Sequence, residues 1–199
     1  RPGTLLLHEP KSPSLWTTMA AARSDVVIAC MGLSPQMEGE EGDAIESPVN
    51  GDRTEIGLPP VQAEYLRLLK VNGCKIVLVL TGGSAIALGD IADIADAILY
   101  VWYPGQEGGR AVADVLFGAV APAGKLPVTF PKALEDLPPF EDYAMQGRTY
   151  RYAEVEPQFP FGFGLGYTRF TYDAIQAPAG VAAGEPLPVT VTLTNAGAV

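Results

Sequence analysis

The chain has 199 residues, 48% of them hydrophobic, so it can bury the core of one ordinary domain and a fragment of another. Its 13 Lys and Arg against 23 Asp and Glu give a formal net charge of -10. This charge repels phosphate backbones and anionic lipid, so we expect neither nucleic-acid nor membrane-surface partners; it suits a neutral ligand such as a sugar.

The scarce cysteines and histidine restrict the chemistry further. Cys30 and Cys74 are too few for a disulfide framework, and we expect both to be buried, reduced thiols. His8 is the single histidine, which excludes a multi-histidine metal site and argues against a Ser-His-Asp triad. No metal and no cofactor is therefore predicted.

The ends of the chain give little information on compartment. No apolar run approaches the roughly 20 residues that a membrane-spanning helix needs. The sequence starts at Arg1 rather than Met and shows no signal peptide, so we expect an internal piece of a longer polypeptide. A periplasmic or secreted location and a cytoplasmic one both remain open.

Helices and strands alternate in the first part of the chain. Apolar residues at helical spacing predict a short amphipathic helix over 14–23, and the apolar run that follows predicts a buried strand over 25–31. A long polar, Gly-rich loop over 32–57 leads to a second helix over 58–71 and a second buried strand over 75–81. The second helix is predicted to pack through four residues: Val61, Tyr65, Leu68 and Leu69.

The alternation continues and then fades. The next predicted elements are a weakly helical segment to about residue 95, a strand over 97–102, a tight loop over 104–109, a helix over 110–117 and an extended, edge-like segment over 126–131. Strands that are apolar on both faces predict an α/β fold, with a mostly parallel sheet flanked by helices. Residues 187–194 alternate like a sandwich strand, and we place a domain boundary at 173–184.

The loop after the first strand carries a dense group of acids: Glu38, Glu40, Glu41 and Asp43. Cleaving a glycosidic bond needs one acid for the leaving oxygen and a second carboxylate at the anomeric carbon, and glycines would let this loop close over a sugar. A solvated acidic loop is the simpler interpretation, and a Ca²⁺ site a smaller alternative, because the EF-hand pattern is missing. From the residues alone these alternatives stay open.

Two glycine-rich turns mimic known motifs without matching them. The stretch 102–109 lies between a strand and a helix, but it is not G-x-G-x-x-G, and no P-loop motif occurs in the chain. It is interpreted as a structural turn in which Trp102 and Tyr103 either stack on a sugar or belong to the core. Gly82-Gly83-Ser84 is not a nucleophile elbow, because Ile86 occupies the position that requires glycine.

Aromatic and charged residues also mix at 140–143 and 148–152. These two stretches either rim a sugar site or form surface strands with stacked Arg and Tyr.

Several motifs together resemble the second domain of glycoside hydrolase family 3. They occur in the family's order over roughly residues 5–172: 32–41 followed by Asp52-Arg53 and 58–62, then 102–109, 123–130, 148–152 and 160–167. The tail from about residue 185 resembles the start of a fibronectin-III-like domain. The resemblance therefore divides the chain into a family 3 α/β-sandwich domain over 1–172, a linker over 173–184 and the start of a fibronectin-III-like domain over 185–199.

The resemblance implies a retaining β-glycosidase, most similar to β-xylosidases and β-glucosidases. In that family an N-terminal (β/α)₈ barrel supplies the aspartate nucleophile and the second domain supplies the acid/base glutamate. Glu38 matches the acid/base by position, with Glu40 and Glu41 as alternates. This chain alone is then expected to be inactive.

The resemblance also implies the partners. The substrate is a β-linked oligosaccharide or aryl glycoside, the protein partner is the barrel of the same polypeptide, and a homodimer is allowed. The candidate substrate contacts are Met37, Trp102 and Tyr103, and the candidate structural residues are Asp52 and Arg53. The rival interpretations are a non-catalytic scaffold or binding domain for a sugar site, and a flavodoxin-like nucleotide binder.

Overall fold

A computed structural model describes residues 14–38 and 52–199. The helices are α1 (Leu15–Ala21), α2 (Pro35–Glu38), α3 (Pro60–Val71), α4 (Ile91–Ile94), α5 (Gly108–Leu116) and α6 (Thr149–Tyr152), with a 3₁₀ turn at Leu134–Asp136. The strands are β1 (Val27–Gly32), β2 (Ile76–Thr81), β3 (Ala97–Tyr100), β4 (Phe170–Gln176) and β5 (Thr190–Asn195). Within these described ranges, no helix is long and apolar enough to cross a membrane.

A three-stranded parallel sheet organises the first half of the chain. The strand order is β1-β2-β3, with Met31 paired to Leu80 and Val79 paired to Leu99. Helices connect successive strands, as parallel pairing requires, because the chain must return to the same end of the sheet before each new strand. The predicted α/β class with a parallel sheet is confirmed.

The core lies between β2 and α3. Ile76, Leu78 and Leu80 of the central strand are fully buried, and Leu66 and Leu69 of α3 pack in the same cluster. The predicted inward face of α3 is partly wrong, because Val61 and Leu68 are exposed. The helix is rotated so that Leu66 and Leu69 meet the sheet, an orientation in which Gln62 also bonds to Gly32 of β1.

In the part of the chain that the structure describes, β1 and the helix α1 before it leave apolar side chains exposed. β1 is an edge strand with one pairing partner, and Cys30 on it is exposed, so its predicted burial is wrong. Cys74 is buried, and both cysteines are free thiols, as expected. The amphipathic helix α1 also forms, yet Leu15 and Met19 of its apolar face are exposed while Thr17 is buried.

The segment after α5 returns to the sheet domain before the chain enters a second, smaller sheet. Phe130 and Phe159 form an isolated antiparallel bridge, and Gln158 accepts from the Leu88 N–H at 3.0 Å and donates to the Gly89 carbonyl at 2.8 Å. β4 and β5 then pair antiparallel. Residues 173–176 of the predicted linker are thus strand residues of β4; the division into domains stays a prediction.

Candidate active site

The exit of β1 is fixed by backbone contacts that only glycine allows. Gly32 has φ +118°, and a Cβ there would overlap the backbone of Thr81. The Gln62 side chain accepts from the Gly32 N–H at 2.8 Å and donates to the Gly32 carbonyl at 2.9 Å. The chain therefore leaves the sheet at one defined point, held by the helix that also supplies the core.

The next residues carry Glu38 to the carboxyl edge of the sheet. The Leu33 N–H donates to the Thr81 carbonyl at 2.8 Å, and the Thr81 hydroxyl donates to the Leu33 carbonyl at 2.9 Å. The Ser34 carbonyl then accepts from the N–H groups of Met37 and Glu38, which closes the single turn of α2. Glu38 ends this turn with a half-buried side chain.

The turn after β2 faces Glu38 across a narrow gap. A Cβ on Gly83 would lie 3.1 Å from Oε2 of Glu38 and 3.0 Å from Cε2 of Tyr103. The Gly82 N–H donates to the Trp102 carbonyl at 3.3 Å, which joins the ends of β2 and β3. Glycine at position 83 thus lets a carboxylate and an aromatic ring approach the same turn.

The end of β3 supplies the partner of Glu38. The phenol of Tyr103 donates a hydrogen bond to Oε2 of Glu38. Trp102, just before it, has φ +56°, a left-handed conformation that costs a bulky residue about 1–3 kcal/mol. Its ring packs edge-on against Tyr100 at 4.7 Å and Phe130 at 6.3 Å between centroids.

Two phenols at this edge stay protonated at neutral pH. Burial, the hydrogen bond to Glu38 and the charge of Glu38 raise the pKa of Tyr103 to about 12. Burial, with the charge of Glu38, also raises the pKa of Tyr100 well above its ordinary value. Tyr103 is therefore a hydrogen-bond donor to the carboxylate, and Tyr100 donates to the Ser84 carbonyl at 2.5 Å.

Arg53, which follows Asp52 in the chain, lies near the same edge of the sheet. Arg53 donates to the Gly57 carbonyl at 3.1 Å, and Gly57 forms a parallel bridge with Ala87 after the turn of β2. The positive charge of Arg53 weakly favours the ionised forms of Tyr100 and Tyr103. The other predicted acids, Glu40, Glu41 and Asp43, and also His8, lie outside the described residues.

The structure brings some of the predicted site residues together and gives others a packing role. Glu38 and Tyr103 are in contact, whereas Met37 packs against the core cluster and Trp102 packs against neighbouring aromatic rings. The residues that sequence reasoning missed are Gln62, Gly83 and Tyr100. One signal was available for the last two: the carboxyl ends of parallel strands meet at one edge, where α/β proteins bind ligands.

A separate cavity lies among residues 127–161. It has a volume of about 640 Å³, and Thr129, Tyr150 and Phe161 are among its lining residues, but Glu38 and Tyr103 are not. Tyr150 stacks on Phe161 with centroids 4.6 Å apart, and the Arg151 guanidinium lies 5.6 Å from the Tyr150 ring centre. The stretch 148–152 thus has the predicted Arg–Tyr stacking, although 149–152 form a helical turn rather than a strand.

The carboxyl-edge arrangement suits proton transfer. A carboxyl group that is held through one oxygen and half-exposed can exchange a proton with a bound ligand through the other. Within 14–38 and 52–199, no group of three His, Cys, Asp or Glu residues is placed to hold a metal ion.

Comparison with known proteins identifies the family. Residues 14–167 match the family described as "Glycosyl hydrolase family 3 C-terminal domain". The chain belongs to glycosyl hydrolase family 3. A xylan 1,4-beta-xylosidase of Xylanibacter ruminicola is 50% identical over 86% of this chain and 20% of its own length. A beta-glucosidase of Rhizobium radiobacter is 40% identical over 89% of this chain and 22% of its own length.

Solved β-glucosidase structures have the same fold. A β-glucosidase of Erythrobacter marinus superposes with a TM-score of 0.74 at 34% identity, covering 92% of this chain and 24% of that one. A beta-glucosidase of Listeria innocua, solved in complex with glucose, gives a TM-score of 0.72 at 28% identity, covering 96% and 28%. The chain thus spans about a quarter of the length of these β-glucosidases.

Proposed function

We propose that this chain supplies the general acid/base of a retaining β-glycosidase, with Glu38 in that role. The nucleophilic aspartate would come from an N-terminal (β/α)₈ barrel of the same polypeptide. The contact that carries the proposal is the hydrogen bond from Tyr103 to Glu38, which holds a half-buried carboxyl group at the carboxyl edge of the parallel sheet. The alternates Glu40 and Glu41 lie outside the described residues.

The proposed substrates carry non-reducing-end β-D-xylosyl or β-D-glucosyl residues. The names of two relatives, a xylosidase and a glucosidase, support these two sugars. In a retaining mechanism the acid protonates the leaving oxygen as the nucleophile attacks, and then, as base, it activates the water that releases the sugar. The two carboxyl groups must then lie about 5–5.5 Å apart, across the boundary between the two domains.

The chain by itself should be inactive under this proposal. Double displacement requires a nucleophile opposite Glu38, and we assign that group to the barrel. The 199-residue chain, expressed alone, should release no aglycone from an aryl β-glycoside.

The test is a Glu38→Ala substitution in the complete enzyme. Turnover of a substrate with a poor leaving group should fall on the order of 100- to 10,000-fold, because general acid catalysis is lost. A dinitrophenyl glycoside, whose leaving group needs no proton, should react in its first step almost as before. Azide should restore turnover and yield a β-glycosyl azide, since the small anion replaces water where no base remains.

The alternative outcomes assign the role elsewhere. Near-normal turnover of a poor leaving group by Glu38→Ala would move the acid/base role to Glu40 or Glu41, each testable by the same substitution. If activity survives removal of every carboxylate between residues 38 and 43, the chain is a non-catalytic scaffold for the barrel's sugar site.

A further inference from the structure

Tyr103, which follows β3, contacts the proposed acid on α2. Its phenol donates to Oε2 of Glu38, although the two residues are 65 positions apart in the sequence. Its ring lies against Gly83, at the end of a third strand. The contact therefore exists only because three strand ends meet at one edge of the sheet.

The direction of Tyr103 is set by the residue before it. Trp102 is held in the left-handed region, and its ring packs edge-on against Tyr100 and Phe130, which also contact each other. The Trp102 carbonyl accepts the Gly82 N–H, which prevents the strand end from turning freely. A strained conformation persists only where surrounding contacts hold it, and here those contacts direct the next side chain towards Glu38.

The opposite side of the gap is shaped to admit both groups. A Cβ on Gly83 would meet the Tyr103 ring at 3.0 Å and the Glu38 carboxylate at 3.1 Å, closer than side chains normally approach. Any larger residue at position 83 must push one or both of them away. Glycine at this turn is thus a condition for the Tyr103–Glu38 contact.

We infer that Tyr103 is a positioning residue for Glu38: its hydroxyl holds one carboxylate oxygen so that the other faces the glycosidic oxygen. This inference rests on the proposed acid/base role of Glu38. Glu38 ends a single helical turn, and among the described residues the Tyr103 phenol is the hydrogen-bond partner of its side chain. Fixing it in the reactive orientation before substrate binds removes a rotational search from the transition state.

The direct test is Tyr103→Phe in the complete enzyme. We expect kcat/KM for an alkyl or methoxyphenyl β-glycoside to fall roughly 10- to 100-fold, as misplacement of a reacting group does. The value for the dinitrophenyl glycoside should change little, and KM should stay near that of the wild type. This steeper dependence on the leaving group is a signature of lost acid catalysis, which a loss of folding or of sugar contact does not produce.

Tyr100→Phe is the matched control. It removes a phenol oxygen from the same sheet edge, but that oxygen bonds to the Ser84 carbonyl rather than to Glu38. Any loss of rate should then be equal for the good and the poor leaving group.

A second pair of variants tests the same contact from the side of Gly83. Gly83→Ala should reproduce the leaving-group dependence of Tyr103→Phe, because the added methyl group separates phenol and carboxylate. Gly105→Ala is its control: a Cβ there would meet no described atom within 4 Å, and its backbone is not left-handed. This control should keep wild-type kinetics on both substrates.

The outcomes separate this inference from the proposed function. If Glu38→Ala keeps its activity, the acid/base assignment is wrong and the positioning role is overturned with it. If Glu38→Ala behaves as expected but Tyr103→Phe slows both substrates equally or only raises KM, the positioning role alone is wrong. Combining Tyr103→Phe with Glu38→Ala should add no further loss, since the two side chains act as one unit.

Discussion

The two ends of the parallel sheet each hold a carboxylate, and they use it differently. At the carboxyl end, Glu38 accepts a hydrogen bond from the side chain of Tyr103. At the amino end, Asp96 accepts from the backbone N–H of Ile76 at 2.8 Å and returns its own N–H to the Ile76 carbonyl at 2.8 Å. Lys70 lies 3.8 Å from the same carboxylate.

The difference shows what makes a carboxylate structural. The bond from Ile76, helped by nearby Lys70, holds the pKa of Asp96 below its ordinary value, so this group is ionised and completes the start of a strand. Among the described residues, no backbone N–H donates to the Glu38 side chain. Its partner is the phenol of Tyr103, which follows β3, and Gly83 leaves space beside the carboxylate. We therefore expect changes at the amino end to affect stability and changes at the carboxyl end to affect catalysis.

The largest effect on stability should come from the strand that both ends share. Leu78 lies in the middle of β2 and is fully buried, so Leu78→Ala should lower the free energy of unfolding by about 2–5 kcal/mol. Urea denaturation of the complete enzyme, followed through the transition of this domain, measures the change. The remaining folded enzyme should keep the wild-type dependence on leaving group, because the site contacts are untouched.

Val71→Ala is the control for that substitution. Val71 ends α3 with 85% of its surface exposed, so its truncation should change stability by no more than about 0.5 kcal/mol. Equal losses for the two variants would contradict the placement of the core between β2 and α3.

A smaller effect should follow from Asp96→Asn. The asparagine amide oxygen can still accept a hydrogen bond from the Ile76 N–H, but the negative charge that attracts Lys70 is lost. The thermal midpoint should therefore fall by less than it does in Leu78→Ala. The kcat/KM values for good and poor leaving groups should both remain at the wild-type level. A selective loss on poor leaving groups would show that the two ends of the sheet are coupled.

The smallest effect concerns pH. The Asp90 carboxylate is paired with Arg67 at 2.7 Å, and this hydrogen bond lowers its pKa, as the bond from Ile76 does for Asp96. A group with a lowered folded pKa contributes stability above its unfolded pKa of about 3.9 and loses that contribution as pH falls further. Thermal midpoints should therefore decline below about pH 4, less steeply in Asp96→Asn.

Salt should act on the Asp90 pair more than on Asp96. Arg67 and Asp90 are both about half-exposed, so added salt screens their attraction. The bond between Asp96 and the Ile76 N–H is short-ranged and should persist. The thermal midpoint of Asp90→Asn should therefore approach that of the wild type at high salt. A difference in midpoint that persists at high salt would contradict this expectation.

Local sequence patterns predicted the elements of the sheet domain well. The runs of apolar residues located β1, β2 and β3 to within a few residues, because a strand buried in a parallel sheet must be apolar on both faces. Proline at the start and Asn72-Gly73 at the end bounded α3. The order of motifs also led to the family, which the comparisons then established.

Local sequence patterns gave wrong predictions where burial or secondary structure depended on tertiary contacts. Cys30 looks buried in its apolar run, yet β1 is an edge strand and leaves it exposed. Leu68 fits the helical spacing of a buried face, yet it is exposed. With Gln62 bonded to Gly32, α3 packs against the sheet through Leu66 and Leu69 instead. Similarly, residues 173–176 have linker composition around them, but pairing with β5 makes them strand.

The sequence by itself determined the α/β class and the family, because these depend on the type and order of residues along the chain, and it led to the proposal of Glu38 as the acid/base. Only the tertiary structure decided how Glu38 is held. Tyr103 and Gly83 are far from it in sequence, and parallel pairing brings their strand ends to one edge. A hydrogen bond across 65 residues depends on strand register and backbone conformation, and no local pattern encodes either.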